Sequence, residues 1–224
     1  MVTKIPVSVD IAVFKLAEKE LEVLLVKKES NNKEYPNYWA LPGGTIESSD
    51  SDLDAAAHRT LKRRTNTDVP YLEQVCTEGS ATRDPRGWSC TTVYFALVGP
   101  DFGNDLSMSD ETMAWVPVSS KTLDKLAFDH STLFKKALTR MQNKMNYSLL
   151  PAYFLPDTFV LSELKAVYDK LLGKKQDNSS FRDKMKQLDG LEKTGDKKSL
   201  GGKPADVYKL KQNSTDKYLR RNLT

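Results

Sequence analysis

The chain has 224 residues, 39% hydrophobic and 29% charged, with a formal net charge of +4. That length suits one large domain or two smaller ones of globular, rather polar composition; no apolar run approaches the roughly 20 residues that cross a bilayer, and MVTKIPVSVDIAVF lacks the layout of a secretory signal. Two cysteines, Cys76 and Cys90, without CxxC spacing argue against a disulfide framework, zinc or redox chemistry, so the chain reads as cytoplasmic and the Asn-x-Ser/Thr triplets at Asn146, Asn178 and Asn213 as chance matches.

Val7 to Phe14 alternates and is rich in β-branched residues, which predicts a strand; Leu21 to Lys27 predicts a second, joined to the first by the polar AEKE. Trp39-Ala40-Leu41 leads into Gly43-Gly44. Asp54 to Arg64 reads as a helix, because Leu53, Ala57 and Leu61 recur at four-residue steps and Asp52 and Asp54 favour the positive end of its dipole. Leu72–Cys76, Cys90–Val98 and Met113–Val118 read as strands, and Phe128–Lys144 as a helix with Leu133, Phe134, Ala137, Leu138 and Met141 on one stripe. These elements predict an α+β domain over residues 1–146.

A linker over 147–157, marked by Pro151 and Pro156, leads to a second unit at 158–211 and a polar tail at 212–224. Its helices are Ser162–Leu172, with Ser162 as N-cap and Gly173 as C-cap, and Asn178–Leu188, capped by Asp177. A hairpin follows, with turns at Gly195-Asp196 and Gly201-Gly202. Helix, helix and hairpin in about 60 residues predict a winged helix-turn-helix. Charge supports nucleic-acid binding there: residues 151–224 hold 16 Lys+Arg and 10 Asp+Glu, a net of +6, against 18 and 20, a net of −2, for residues 1–150. If Phe181, Met185 and Leu188 face inward, Arg182, Asp183 and Lys186 face outward as a groove-reading helix requires. Asn178, Ser179 and Ser180 at its start suit phosphate. Lys197, Lys198, Lys203 and Lys209 suit the DNA backbone, with Lys203-Pro204 near a minor groove. The DNA-contacting set is thus expected to be Asn178, Ser179, Ser180, Arg182, Lys186, Lys198 and Lys203.

The chemistry of the first domain centres on Leu41–Thr67. Gly43-Gly44 lets backbone amides approach an oxyanion. YWALPGGTIESSDSDLDAAAHRTLKRRTNTDV resembles the Nudix box, G-x5-E-x7-R-E-U-x-E-E-x-G-U, with Gly44 at the opening glycine, Arg59 at the arginine and Leu61 at the apolar position. One extra residue sits in the loop after Gly44. Ser51 stands at the first glutamate, Thr60 at the glutamate after the arginine, Arg63 and Arg64 at the paired glutamates and Asn66 at the glycine. In Nudix hydrolases the paired carboxylates hold divalent metal. Guanidinium groups donate hydrogen bonds and accept none, so the expectation is a retained pocket with no metal site and no catalytic residues. Glu47, Asp50 and Asp52 are the acidic groups left for a metal in a shifted register. The RDPRGW loop adds Arg83 and Arg86 as phosphate-gripping candidates, and Trp39 or Trp88 as an adenine platform. His58 and His130 are too isolated to form a metal site. The expected ligand set is Trp39, Gly43, Gly44, Glu47, Arg59, Arg83 and Arg86.

Taken together, WALPGG, RDPRGW, LAFDHSTLFKKALTR and FVLSELKAVYDKLLG…NSSFRDKM…LEKTG…GGKPADVYKL are similar to the Nudix-related transcriptional regulators of the NrtR type. The resemblance implies a Nudix fold, a mixed sheet sandwiched by helices, followed by a winged helix. It further implies a homodimeric repressor of NAD-synthesis genes, bound to palindromic double-stranded DNA and released by ADP-ribose or a related nucleotide-sugar, with no cofactor and no membrane partner. Relatives of this architecture also sense sugars. The competing readings are a magnesium-dependent hydrolase using Glu47, Asp50 or Asp52, and a nucleotide-binding adaptor without DNA.

Overall fold

The computed structural model describes residues 4–102, 112–212 and 214; nearly all of the predicted tail, including Asn213, lies outside the described residues. Two compact units, Met1–Arg140 and Met141–Thr224, make up the chain.

In the first unit β1 (Val7–Leu16) and β2 (Leu21–Lys27) form the predicted hairpin, with Phe14 opposite Val23 and Leu16 opposite Leu21. Antiparallel pairs join β3 (Trp39–Ala40) to β2, β4 (Gly43–Thr45) to β1, β5 (Tyr71–Ser80) to β6 (Ser89–Val98), and β7 (Met113–Pro117) to β2. β1 and β6 run parallel, which makes the sheet mixed, with the path β3-β2-β1-β6-β5. Alternation along β1 divides its side chains between two faces. Val9, Ile11 and Val13 pack with Ala56, Ala57 and Leu61 of α1 (Leu53–Thr65). Phe14, on the opposite face, meets Phe134 of α2 (His130–Met145), with ring centroids 6.2 Å apart. A helix thus covers each face of the sheet.

Local chemistry sets the helix ends. Asp52 Oδ1 accepts the Ala55 N–H at 2.7 Å and starts α1, while Asn66 ends it in a left-handed conformation (φ 51°) after the basic turn Lys62, Arg63, Arg64. α2 begins two residues later than its periodicity predicts, because Phe128 also has a positive φ of 56°, which a helix excludes. β5 runs four residues past its predicted end. It lies at the end of the sheet path and carries polar residues such as Thr77 and Glu78, so pairing with β6 defines it where apolar alternation does not.

The second unit contains α3 (Leu161–Leu172), α4 (Asn178–Leu188) and a three-stranded sheet of order β8-β10-β9, from β8 (Phe159–Val160), β9 (Leu191–Lys198) and β10 (Ala205–Leu210). Phe181, Met185 and Leu188 are buried against Phe159, Leu164 and Tyr168, as the helical spacing predicts. Three expectations are corrected. The N-cap of α3 is Val160, whose N–H donates to Glu163 Oε2 at 2.9 Å, and Ser162 lies inside the helix. Gly195 is no turn: it sits within β9 at φ 93°, beside the point where the β9–β10 register shifts, so it forms a bulge and leaves Gly201-Gly202 as the hairpin end. The expected linker is packed structure: a 3-10 turn spans Leu150–Phe154, Leu149 and Ala152 join the unit's core, and the Tyr168 hydroxyl donates to the Ser148 carbonyl. The units divide between Arg140 and Met141, inside α2, and not at 146/147.

Candidate functional site

The glycine loop is held against β1, with Gly43 opposite Asp10 and Gly44 opposite Val9. A Cβ at Gly43 would lie 2.1 Å from Asp10 Oδ1 and 3.0 Å from the Val9 carbonyl, so only glycine lets the two strands meet there. Beyond the loop, Arg59 of α1 gathers the acidic segment. Its Nε and Nη2 donate to the two oxygens of Asp50 at 2.6 and 2.7 Å, and Nη1 donates to Glu47 Oε1 at 3.0 Å. Arg59 therefore faces Asp50, whereas Ser51, expected at the first glutamate, donates to Asp52 at 3.1 Å. Arg63 closes on Glu47 from the other side, with Nη2 2.9 Å from Oε2. The Arg59 hydrogen bonds hold the Asp50 carboxyl at a pKa of about 2, and the Arg63 hydrogen bond lowers that of Glu47. Asp52 is occupied in capping α1.

A cleft of about 350 Å³ opens on the other side of the glycine loop. Its floor is a buried polar cluster. Arg83 donates to both oxygens of Asp129 at 3.0 Å and to Ser89 Oγ at 3.1 Å, and lies 3.6 Å from Asp10 Oδ2. Asp10 also accepts the Thr91 hydroxyl at 2.8 Å. His130 Nδ1 accepts the Leu41 N–H at 3.0 Å, which leaves the proton on Nε2, 3.5 Å from Asp10 Oδ1; burial keeps this imidazole below its ordinary pKa. The upper wall is cationic. Lys28 Nζ and Arg86 Cζ lie 5.2 and 5.6 Å from the centre of the Phe128 ring, and Arg64 joins the lining. Burial lowers the Lys28 pKa; nearby Asp10 opposes that shift, while the Arg64 and Arg86 charges add to it.

Gly43, Gly44, Arg83 and Arg86 line this cleft, whereas Glu47 and Arg59 line an adjoining recess that shares Gly43, Gly44, Thr45 and Arg64. Arg83 does not extend as a free phosphate clamp, because its guanidinium is committed to carboxylates beneath the cleft. Arg86 chelates Asp84 with Nε and Nη2 but keeps 66% of its side chain exposed. Trp39 lies outside the lining, with Lys27 Nζ 5.8 Å from its ring centre. Trp88 is 48% exposed, its ring over Gly79. His58 is exposed on α1. Sequence reasoning missed Lys28, Phe128, Asp10 and Asp129. Asp10 left a signal, a carboxylate in the middle of the apolar strand VSVDIAVF; Lys28, one residue past β2, left only a pair of adjacent lysines.

In the second unit a groove of about 780 Å³ runs between α4 and the β9–β10 hairpin. Arg182 and Lys186 line it from α4, and Lys193, Lys203 and Tyr208 from the hairpin, over a floor that includes Leu161 and Met185. Lys193 pairs with Asp206, and Lys186 lies 3.5 Å from Asp183. Of the expected DNA-contacting residues, Arg182, Lys186 and Lys203 converge on this groove. Lys198 is held by Glu163 at 2.7 Å. Asn178, Ser179 and Ser180 are exposed at the start of α4, outside the lining. Asp177 takes the Ser180 N–H at 2.9 Å and the Ser179 hydroxyl at 2.5 Å, so a carboxylate already occupies the helix end expected to receive phosphate.

Two family models match the chain: the NUDIX domain over residues 5–137 and the NrtR DNA-binding winged helix domain over residues 151–210. The chain is 38% identical over 204 residues to the ADPR responsive transcriptional repressor NtrR of Acinetobacter baylyi, covering 91% of this chain and 81% of that protein. It is similar to the crystal structure of Shewanella oneidensis NrtR complexed with a 27mer DNA, at 37% identity and a TM-score of 0.86, covering 97% of this chain and 99% of that one. The NUDIX domain of Shewanella oneidensis NrtR, complexed with ADP ribose, matches at 33% identity and a TM-score of 0.53 over 62% of this chain and 90% of that one. With a NUDIX domain followed by this winged helix, and near full-length likeness to both relatives, the chain belongs to the NrtR family of transcriptional regulators.

Proposed function

We propose that the chain is a repressor of NAD-synthesis genes that binds a palindromic operator as a homodimer and is released by ADP-ribose or a related nucleotide-sugar. The observation that carries this reading is the groove of the second unit, where Arg182 and Lys186 of α4 face Lys193 and Lys203 of the hairpin. A helix of this kind reads base edges while the hairpin cations follow phosphates. Two such units in a dimer would address half-sites about 34 Å apart, and an effector that altered their spacing would weaken binding by the coupling free energy between the two sites.

The first unit supplies the effector site without hydrolysing its ligand. Arg63 and Arg64 stand where a hydrolase places paired metal-binding carboxylates, and Glu47 and Asp50 are neutralised by Arg59 and Arg63. A sensor of this design leaves its signal intact. The test is a mobility-shift titration with a DNA fragment holding a palindrome upstream of NAD-synthesis genes, followed by addition of ADP-ribose and chromatography of the nucleotide. Retarded DNA, released by ADP-ribose recovered unchanged, is expected. Failure to retard any such fragment overturns the repressor reading, and magnesium-dependent conversion to AMP overturns the claim of a non-hydrolysing sensor.

A further inference from the structure

A hydrolysing Nudix fold works on its diphosphate through divalent cations, so the residues present here must first be tested against such an ion. They do not fit one. Magnesium asks for about six hard oxygens in octahedral geometry. The remaining carboxylates of the loop have all six oxygens engaged: Glu47 Oε1 accepts from Arg59 and Arg63 and Oε2 from Arg63, Asp50 Oδ1 and Oδ2 accept from Arg59, with Oδ2 also taking the Glu47 N–H at 2.8 Å, and Asp52 accepts the Ala55 N–H and the Ser51 hydroxyl. Among the described residues no three His, Cys, Asp or Glu side chains converge as a ligand set. A cation placed at this loop would also face the charges of Arg59, Arg63 and Arg64.

The same region has cationic groups that form no close ion pair among the described residues. Arg63 is spent on Glu47, but no described carboxylate pairs with Arg64 or Lys28. Arg64 lines both the cleft and the adjoining recess, so it stands at the passage between them beside Gly43-Gly44. Lys28 is half-buried in the cleft, where Asp10 and Asp84 favour its charge from a distance and the Arg64 and Arg86 charges oppose it. A second, independent feature points the same way. Thr60 is 3% exposed and its Oγ1 has no hydrogen-bond partner; it lines the recess, 3.0 Å from where a Gly44 Cβ would stand. A buried hydroxyl left unsatisfied is costly, and a phosphate oxygen at the glycine loop would satisfy it.

We infer that the site takes its diphosphate as the free anion, with Arg64 and Lys28 supplying the positive charge that a metal supplies elsewhere, so that Mg2+ antagonises binding. This inference rests on the proposal that the cleft binds a nucleotide-sugar diphosphate. Magnesium bound to the ligand cancels the charge that the two side chains attract and keeps a shell of water that must be shed. The regulator then responds to the uncomplexed ligand, and rising free Mg2+ shifts it toward the operator-bound state.

The test is calorimetric titration of ADP-ribose into the full-length protein, first with EDTA and then with millimolar MgCl2 at an ionic strength matched by KCl. Binding in EDTA, weakened about three-fold or more at saturating Mg2+, is expected. Arg64→Glu returns a carboxylate to the box; its affinity in EDTA should fall about ten-fold or more, and Mg2+ should then recover part of the loss. Lys28→Met, which removes a cation outside the box and adds no carboxylate, should weaken binding in EDTA without acquiring a response to Mg2+. Equal wild-type affinity in both buffers, a requirement for Mg2+, or an unchanged Arg64→Glu variant overturns the inference and leaves the effector proposal standing. No binding in either buffer overturns both.

Discussion

Arg83→Ala and Arg86→Ala separate a buried arginine from an exposed one on the same loop. The Arg83 side chain is 8% exposed and lies among Asp129, Asp10 and Ser89. Its removal leaves two carboxylates, with side chains 24% and 7% exposed, without their countercharge. Removing one partner of a buried pair costs about 3–5 kcal/mol, far above the roughly 0–1 kcal/mol of an exposed pair. The expected loss for Arg83→Ala is thus about 3–5 kcal/mol near pH 8. Arg86→Ala, which removes a side chain 66% exposed, should cost about 1 kcal/mol or less. The two losses should also differ in pH dependence. Burial holds His130 neutral, aided by the Arg83 charge. In the wild type this histidine reduces stability as pH falls below its ordinary value of 6.5, because the unfolded chain then binds the proton more readily. Without Arg83 the His130 pKa rises and the imidazolium offsets Asp10, so the penalty of Arg83→Ala should shrink toward pH 5.5, a value about one unit below the ordinary pKa. Trp39, Trp88 and Trp115, the protein's three tryptophans, all lie in the first unit, so urea denaturation followed by tryptophan fluorescence reads that unit within the full chain. A loss for Arg83→Ala below about 1 kcal/mol at pH 8, or one that does not change with pH, refutes the reasoning.

Three further outcomes are expected. Gly43→Ala forces a methyl group into Asp10 and the Val9 carbonyl, which should lower first-unit stability by about 1–3 kcal/mol, read by the same denaturation; an unchanged midpoint would mean that β4 moves away freely. The Asp50 carboxyl, held at about pKa 2 by Arg59, stabilises the native state above its unfolded pKa of 3.8, and that contribution is lost as pH falls from about 4 through 2. Wild type and Asp50→Asn should therefore converge in stability by pH 2, and a constant gap between them would contradict the assignment. In mobility-shift titrations at fixed salt, Arg182→Ala should weaken operator binding by about 1–3 kcal/mol, whereas Lys203→Ala should lower the slope of log affinity against log salt by about one; an unchanged Arg182→Ala affinity would count against α4 as the reading helix.

Periodicity reached the elements whose apolar faces are buried: β1 and β2, α1, and the Phe181-Met185-Leu188 stripe of α4. It failed where other forces set the structure. β5 extends past Cys76 because β6 offers it hydrogen bonds, and the Gly195 bulge arises from strand register, which a glycine alone does not distinguish from a turn. The segment at 147–157 looked like a linker because prolines often mark one, but its Leu149 and Ala152 fill the core of the second unit. At the candidate site the sequence showed adjacent arginines, Arg63 and Arg64, on the helix after the glycine loop. Their partners were not legible: that Arg63 holds Glu47, while Arg64 forms no ion pair among the described residues, depends on loop geometry. Arg83 and Arg86 looked equivalent on one loop, yet one turns inward to Asp129, 46 residues away in the chain, and the other stays at the rim.

The left-handed Phe128 has a consequence for how this domain can be engineered. A bulky side chain at φ 56° costs about 1–2 kcal/mol relative to glycine. Its ring nonetheless contacts Tyr35 at 4.6 Å and His130 at 5.4 Å between ring centroids, while Lys28 and Arg86 approach its face. Relaxing the backbone and keeping the ring are therefore opposed demands on one residue. Phe128→Gly would relieve the backbone and lose a ring that packs against Val26, Ala40 and Ala127, so the domain keeps the strain because the packing it makes possible outweighs it.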